Sequence, residues 1–274
     1  MRVMGLPFYA STGERVARFA LILGVFLILL FLVAPLFVVV PLSLNNDPFF
    51  SFPIHVWSLR WFRDFFGSDR WLAALRNSIL AASFTTILAT VLGTMAALGL
   101  ARPGFPARRT VMALLISPMI VPVVILAVGN YLIFGRLGLT NTRTGLVLAH
   151  TVLAAPFVVI TVSATLSTYD TVLTRAARSL GAPPLATFLR VTLPVIMPGV
   201  VAGAVFAFAV SFDEVVVALF MTSAAQRTLP VQMFSGIRDQ INPTIMAAAT
   251  LLLVLSTTLF VVVTWLSARA RARG

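Results

Sequence analysis

The sequence TYDTVLTRAARSLGAPPLATFLRVTLPVIMP, residues 168–198, is a long polar interruption in a very hydrophobic chain. Asp170 and Gly181 bracket about three helical turns, which predicts a short helix between them. The proline pair at 183–184 then breaks the chain, because proline lacks an amide donor and restricts the residue before it. A second short helix is expected over Leu185–Val191. Small and apolar side chains lie between arginines, a pattern typical of a segment that docks into a cleft of another protein. The alternative is a solvated loop between two membrane helices.

The composition around this segment indicates a membrane protein. Of 274 residues, 59% are hydrophobic and 10% are charged, whereas a soluble domain carries about 25% charged residues. Cysteine is absent and all 20 basic residues are arginines, which excludes disulfides, thiolate metal sites and the lysine of a Walker A site from this chain. The net charge of +12 is therefore interpreted as arginines in loops that set membrane topology, rather than as a sign of nucleic-acid binding.

Several apolar stretches are long enough to cross a bilayer, which requires about 20 residues of helix. We expect an all-α membrane protein with spans at about 19–44, 72–100, 110–134, 145–166, 199–221 and 244–266. Residues 1–18 and 267–274 are expected outside the membrane, and the first stretch is too long for a signal peptide. Pro118 and Pro122 predict a kink in the third stretch.

Two local patterns refine this expectation. Gly199, Gly203 and Ala207 recur every four residues in the fifth stretch, which allows close helix approach in lipid. The loop after the first stretch is rich in aromatic residues, and both an interfacial helix and an ordinary aromatic belt are compatible with it. Its aromatic residues include Trp57, Trp61, Phe62, Phe65 and Phe66.

The distribution of arginine predicts the orientation. The amino terminus, the loops at 101–109 and 167–190, and the tail lie on one side of a six-span chain, and they contain most of the arginines. Because cytoplasmic loops carry an excess of basic residues, this side is expected to be cytoplasmic, with both termini inside.

The polar segment resembles the cytoplasmic loop of binding-protein-dependent ABC importer permeases. Ala176-Ala177, Gly181-Ala182, Phe188 and Leu193-Pro194 stand at the matching places of that motif, whereas Arg175 occupies the position of its glutamate. The resemblance implies the six-helix type I importer permease fold, with a coupling helix that inserts into a groove on a separate ATPase subunit. The residues it assigns to that contact are Arg175, Ala176, Ala177, Leu180, Gly181, Ala182 and Phe188.

Two adjacent carboxylates lie within the fifth apolar stretch, in the sequence SFDEVVVALF. Charges at such depth are costly and usually face a bundle interior or a water-filled cavity. The functional interpretation is that one or both bind a cationic substrate, with aromatic faces nearby. The alternative is an ion pair with Arg227 or Arg238 near the membrane boundary. The candidate pathway residues are Asp213, Glu214, Phe208 and Phe212.

A narrower resemblance covers most of the chain. Residues 211–217 (SFDEVVV), Thr228-Leu229-Pro230, Asn242-Pro243 and Ala247-Ala248 are similar to the second permease subunit of spermidine/putrescine importers. This resemblance implies a polyamine or related cation as the solute. Relatives of this permease type serve other solutes, so an ABC permease for another small solute remains open.

The expected partners follow from the resemblance. They are a paralogous permease, two ATPases that bind ATP and Mg²⁺, a periplasmic or extracellular solute-binding protein, and the lipid of the inner (plasma) membrane. We expect no catalytic residue, cofactor or metal in this chain itself, and no nucleic acid as partner. An ion-coupled secondary transporter that uses the two acids is the alternative class. An intramembrane enzyme is disfavoured, because His55 and His150 are far apart and belong to no catalytic motif.

Overall fold

The computed structural model describes the backbone of residues 11–49, 51–102, 104–239 and 242–271. Side chains are described over the same ranges except at 15, 238, 239, 259 and 262–271. This part of the chain is helical, with one isolated bridge between Asn45 and Trp57 as its only extended pairing. It divides into two units, residues 1–64 with 242–253 and residues 65–241 with 254–274.

The helices are α1 (Thr12–Ser43), α2 (Arg60–Phe66), α3 (Asp69–Leu100), α4 (Arg108–Ile116), α5 (Val123–Arg136), α6 (Arg143–Ser167), α7 (Thr171–Ser179), α8 (Pro184–Thr187), α9 (Leu193–Phe212), α10 (Val216–Met221), α11 (Leu229–Asp239) and α12 (Thr244–Arg271). A 3-10 turn covers Ser117–Met119, and a π-helical turn covers Phe188–Thr192.

Among the described residues, four helical runs are long and apolar enough to cross a membrane: α1, α3, α6 and the run Pro184–Phe212 that ends with α9. The pair α4 and α5 qualifies together as a fifth, with a bend of 98°. The kink predicted in this stretch is confirmed as a break, because Pro118 lies in the 3-10 turn and Pro122 immediately precedes α5. Among the side chains that the structure describes, α12 contributes a shorter apolar stretch, Thr244–Thr258.

In the first unit, α1 begins with a capping box. Ser11 accepts from the Glu14 backbone N–H at 3.2 Å, and the Glu14 carboxylate accepts from the Ser11 N–H at 2.8 Å. This start lies within residues 1–18, the segment that we expected outside the membrane. After α1, the Trp61 indole N–H donates to the Asn45 carbonyl at 2.6 Å. The short α2 includes four of the aromatic residues of that loop, whereas Trp57 lies outside it.

In the second unit, α3, α6 and α9 pack through small residues. A Cβ atom at Gly93 of α3 would lie 2.7 Å from the Val158 Cβ of α6. A Cβ at Gly203 of α9 would lie 2.6 Å from the Thr161 Oγ1 of α6 and 2.9 Å from the Val158 Cα. Gly199 and Ala207 are buried on the same helix. The close approach predicted from this spacing is therefore confirmed.

The structure adds detail to three stretches. Residues 222–243, between the fifth and sixth expected spans, contain α11, whose first N–H donates to the Ser78 hydroxyl at 2.7 Å. The expected short helix Leu185–Val191 is instead α8 plus the π-helical turn, which run on into α9. α12 continues to Arg271 through part of the expected tail. Residues 1–10 and 272–274, which make up the rest of the two terminal segments, lie outside the described residues.

Candidate substrate pathway and coupling surface

The two intramembrane acids lie at a helix break. We predicted a continuous span over 199–221, but α9 ends at Phe212 and α10 begins at Val216. Asp213 closes α9, with its backbone N–H donating to the Ala209 carbonyl at 3.1 Å. The two acids therefore lie at a helix break rather than on one continuous helix.

Glu214 accounts for the break. Its carboxylate oxygens accept from the backbone N–H groups of Val217 at 2.9 Å and Ala218 at 2.8 Å. In a continuous helix those N–H groups would bond to backbone carbonyls one turn earlier. A carboxylate here also interacts favourably with the positive end of the α10 dipole. Glu214 is 8% exposed, so its carboxylate is engaged by groups inside the protein.

A buried histidine lies beside this carboxylate. The His150 Nδ1 of α6 lies 2.8 Å from the Ser211 hydroxyl of α9, and its Nε2 lies 3.7 Å from a Glu214 carboxylate oxygen. The imidazole is fully buried, and its Nε2 has no hydrogen-bond partner among the described residues. With the proton on Nε2, the ring directs an N–H towards Glu214 and accepts from Ser211. The three side chains tie α6 to the end of α9.

The alternative suggested by the sequence was an ion pair of these acids with Arg227 or Arg238, and the arrangement around Glu214 differs from it. The Glu214 carboxylate lies within salt-bridge distance of His150, and Arg227 is not among its partners. The Arg227 carbonyl instead accepts from the Asn77 side chain at 3.1 Å. The side chain of Arg238 lies outside the described residues.

Asp213 has a different environment from its neighbour. Its side chain is exposed, and within the described part of the chain no ion pair or side-chain hydrogen bond involves it. Phe212 directly precedes Asp213 and stacks on Phe208, with ring centroids 5.4 Å apart and an interplanar angle of 17°. Phe212 is buried and Phe208 is half-buried. One free carboxylate therefore follows directly on an aromatic pair.

The first half of the polar segment at 168–198, up to Gly181, folds locally as its sequence predicts. Asp170 precedes α7, and its carboxylate accepts from the Val172 N–H at 2.8 Å. Gly181 ends the turn after α7 with φ +84°, a left-handed conformation that glycine adopts without steric cost. The bracketing of this helix by Asp170 and Gly181 is confirmed.

Apolar side chains are exposed along this segment. Leu180 is 90% exposed and Leu185 is 69% exposed. Arg175 and Ala176 are also exposed, whereas Ala177, Ala182 and Phe188 are half-buried. These two exposed leucines, within six residues of each other, leave an apolar surface that the described residues do not cover.

Comparison with known proteins assigns the family. Residues 89–272 match the family model of the binding-protein-dependent transport system inner membrane component. That range includes α7, Gly181 and the break at Asp213. The chain belongs to this family. It is therefore a multi-pass membrane protein and a permease subunit of an ABC importer, rather than an enzyme.

Relatives and a solved structure agree with this assignment. The chain is 31% identical to the spermidine/putrescine transport system permease protein PotC of Escherichia coli, over 89% of this chain and 92% of that protein. It is 34% identical to the putrescine transport system permease protein PotI of Escherichia coli, over 81% of this chain and 82% of that one. A bacterial ABC transporter that imports alginate has the same fold, with a TM-score of 0.76 and 16% identity over 94% and 99% of the two chains.

Two residues of this permease site were missed by the sequence analysis. His150 and Ser211 lie 61 positions apart, and no pattern in the sequence joins them. The available signal was a histidine inside an apolar span, since a buried polar side chain needs a partner. Metal binding finds no support in the described residues, where no group of three His, Cys, Asp or Glu side chains is placed to hold an ion.

Proposed function

We propose that this permease subunit moves a small organic cation of the polyamine class across the membrane, with Asp213 in the pathway. The observation that carries the proposal is the difference between the two acids. Glu214 is engaged by two backbone N–H groups, whereas Asp213 is exposed and keeps its carboxylate for a ligand. An unpaired carboxylate in a membrane protein is a binding-site hypothesis in itself.

The aromatic pair before Asp213 supports a cationic solute. Phe208 and Phe212 stack at 5.4 Å, and aromatic faces attract ammonium groups. The names of PotC and PotI, which are transport permeases for spermidine or putrescine, support the same class. We propose that Asp213 forms an ion pair with the ammonium group of the solute and that Phe208 offers it an aromatic face. The buried Phe212 packs against Phe208.

We further propose that the segment from α7 to the π-helical turn is the coupling helix region. The exposed Leu180 and Leu185 would enter a groove on a separate ATPase, which binds ATP and Mg²⁺. Arg175 and Ala176 lie on the exposed part of α7 and would flank that contact, while Ala177, Gly181, Ala182 and Phe188 shape the turn. Closure of the ATPases would push on this segment and switch the spans between inward-facing and outward-facing states.

The architecture proposed for the chain has six spans, at about 19–44, 72–100, 110–134, 145–166, 199–221 and 244–266, with the coupling loop at 167–198. Residues 1–18 and 267–274 would be cytoplasmic, in agreement with the arginine distribution. A similar permease, two ATPases and a solute-binding protein would complete the importer. The family description names a binding-protein-dependent system, which supports the last of these partners.

Uptake by the assembled transporter in proteoliposomes tests this proposal. We expect ATP-dependent accumulation of radiolabelled spermidine or putrescine when the ATPase and the solute-binding protein are present. An uncharged solute of similar length should not compete with the labelled amine. Accumulation without any ATPase would contradict the coupling proposal. ATP-dependent uptake of other solutes, with polyamines neither transported nor competing, would overturn the polyamine proposal alone.

A further inference from the structure

An open groove lies between α3 and α6 in the second unit. Its volume is about 340 Å³, at the small end of the range for ligand pockets. Its lining comes from α3 between Asn77 and Leu88 and from α6 between Arg143 and Leu148, together with Gln226. None of these residues belongs to the proposed pathway or the coupling segment.

The α3 wall of the groove is a straight apolar stripe. Leu80, Phe84 and Leu88 follow one another at spacings of four residues and therefore lie on one face of the helix. From Asn77 to Leu88 the helix rises about 16 Å, at 1.5 Å per residue. Phe84 is 57% exposed, so the groove is open along its length rather than enclosed.

The two walls run in the same direction. Thr85 of α3 donates to the Val147 carbonyl of α6 at 3.4 Å, and further along, Gly93 of α3 meets Val158 of α6. Residue numbers therefore increase in the same direction along both helices. The starts of both helices consequently lie at one end of the groove, and Leu88 lies towards the other.

The polar groups of the groove are at that shared start. Asn77 is occupied, because its side-chain amide donates to the carbonyls of Ala225 and Arg227. Gln226 accepts from Ser223. Arg143 is exposed, and among the ion pairs formed by the described side chains none includes it. The groove therefore has an apolar length of about 12 Å, from Leu80 to Leu88, and an uncompensated cation at one end.

We propose that this groove binds one acyl chain of an anionic phospholipid, whose phosphate pairs with Arg143. Guanidinium and phosphate form strong paired hydrogen bonds. Thr144 adds a hydroxyl beside Arg143, and the start of α6 adds the positive end of a helix dipole. Basic pockets between membrane helices attract anionic headgroups for the same reason.

A helix of another subunit fits the groove less well. A helix with its side chains is about 10–12 Å across, so it would place only side chains in a groove of about 340 Å³. Covering Arg143 with an apolar helix would also bury a charge without a partner, which is strongly unfavourable. A lipid supplies both a thin apolar chain and the missing anion.

Photo-crosslinking in native membranes tests the identity of the occupant. A photoactivatable phenylalanine derivative replaces Phe84 in the full-length chain within the assembled transporter, and the control carries it at Ile87, which is exposed on α3 outside the groove. We expect lipid adducts at both positions, with the anionic share of the adducts about fivefold higher at 84 than at 87. Adducts with a polypeptide at 84, or the same lipid mixture at both positions, would overturn the proposal.

Charge variants locate the headgroup. Arg143→Gln should abolish the anionic enrichment at position 84, whereas Arg136→Gln, another exposed arginine at a helix end, should leave it intact. Because Arg143 is exposed, its variant should fold, and an unchanged midpoint of thermal unfolding in detergent checks this. Excess inorganic phosphate present before irradiation should not lower the yield of the anionic lipid adduct. A lower yield with phosphate, or enrichment that survives in Arg143→Gln, would contradict a lipid headgroup at this residue.

Discussion

The α7–α8 segment and the break between α9 and α10 both interrupt apolar sequence with polar residues, but their side chains have opposite environments. At the break, Glu214 is buried and bonded to the backbone of α10. In the segment, Leu180 is 90% exposed and Leu185 is 69% exposed. The buried Glu214 carboxylate of the break finds its hydrogen bonds within the chain, whereas the segment exposes apolar area that needs a partner.

This difference separates structural residues from functional ones. A side chain whose bonding capacity is used within the chain contributes chiefly to stability, and its loss should be seen in unfolding measurements. An exposed apolar side chain, or a carboxylate whose bonding capacity is not used within the chain, contributes to binding, and its loss should be seen in assembly or transport. The predictions below place Leu180 and Asp213 in the second group and Glu214 and Ser211 in the first.

The largest effect is expected at the coupling segment. Leu180→Asp should lower ATP hydrolysis coupled to transport by about 30-fold or more, since a buried interface anchor is worth about 2 kcal/mol or more. Co-purification of the ATPase with the permease, together with its transport-coupled hydrolysis, provides the measurement. Leu137→Asp changes another leucine that is 64% exposed, and it should have no such effect. Full coupling in Leu180→Asp would remove this surface from the contact.

Loss of the buried cap should have the next largest effect, this time on stability. Glu214→Ala leaves the N–H groups of Val217 and Ala218 without their acceptor, which we expect to cost about 2 kcal/mol. The free energy of unfolding in mild detergent is the quantity to compare. Asp170→Ala removes the exposed cap of α7 and should cost about half as much. Equal losses would mean that burial adds nothing to the Glu214 cap.

These two residues also show what could be predicted from the sequence. The α7 turn was predictable, because Asp170, Gly181 and the prolines act through local geometry. The break at Asp213 was not, because the apolar sequence on both sides reads as one span and only the folded Glu214 side chain shows where the helix stops. α11 was not predicted either, because its run of apolar residues is too short to distinguish a helix from a loop.

The candidate site could be predicted only in part. The sequence indicates both acids as costly charges in an apolar stretch, but it cannot assign one to the interior and the other to the surface. That division depends on His150 and Ser211, which come from distant helices. Close packing of α6 and α9 was, by contrast, readable from Gly199 and Gly203, because a four-residue spacing of small residues has a direct geometric consequence.

Asp213→Asn should lower uptake of a polyamine by about tenfold, the equivalent of about 1.4 kcal/mol for one lost ion pair. Unlike Glu214→Ala, it should leave the free energy of unfolding unchanged, because Asp213 is exposed. Initial uptake rates at several solute concentrations measure this effect. The matched control is Asp64→Asn, which neutralises another exposed carboxylate paired only with Arg60 at 3.9 Å. Unchanged uptake in Asp213→Asn would exclude this carboxylate from the pathway.

The smallest effect is expected at Ser211. Ser211→Ala removes the partner of the His150 Nδ1, and we expect a loss of about 1 kcal/mol in the free energy of unfolding. Ser167→Ala, which removes an exposed hydroxyl bonded within its own helix, should be nearly neutral. Replacing both partners with Ser211→Ala and His150→Leu should cost less than the sum of the two single changes, because no orphaned polar group then remains. Strictly additive losses would mean that the histidine and the serine do not act as a pair, and that the α9 end is held by Glu214 alone.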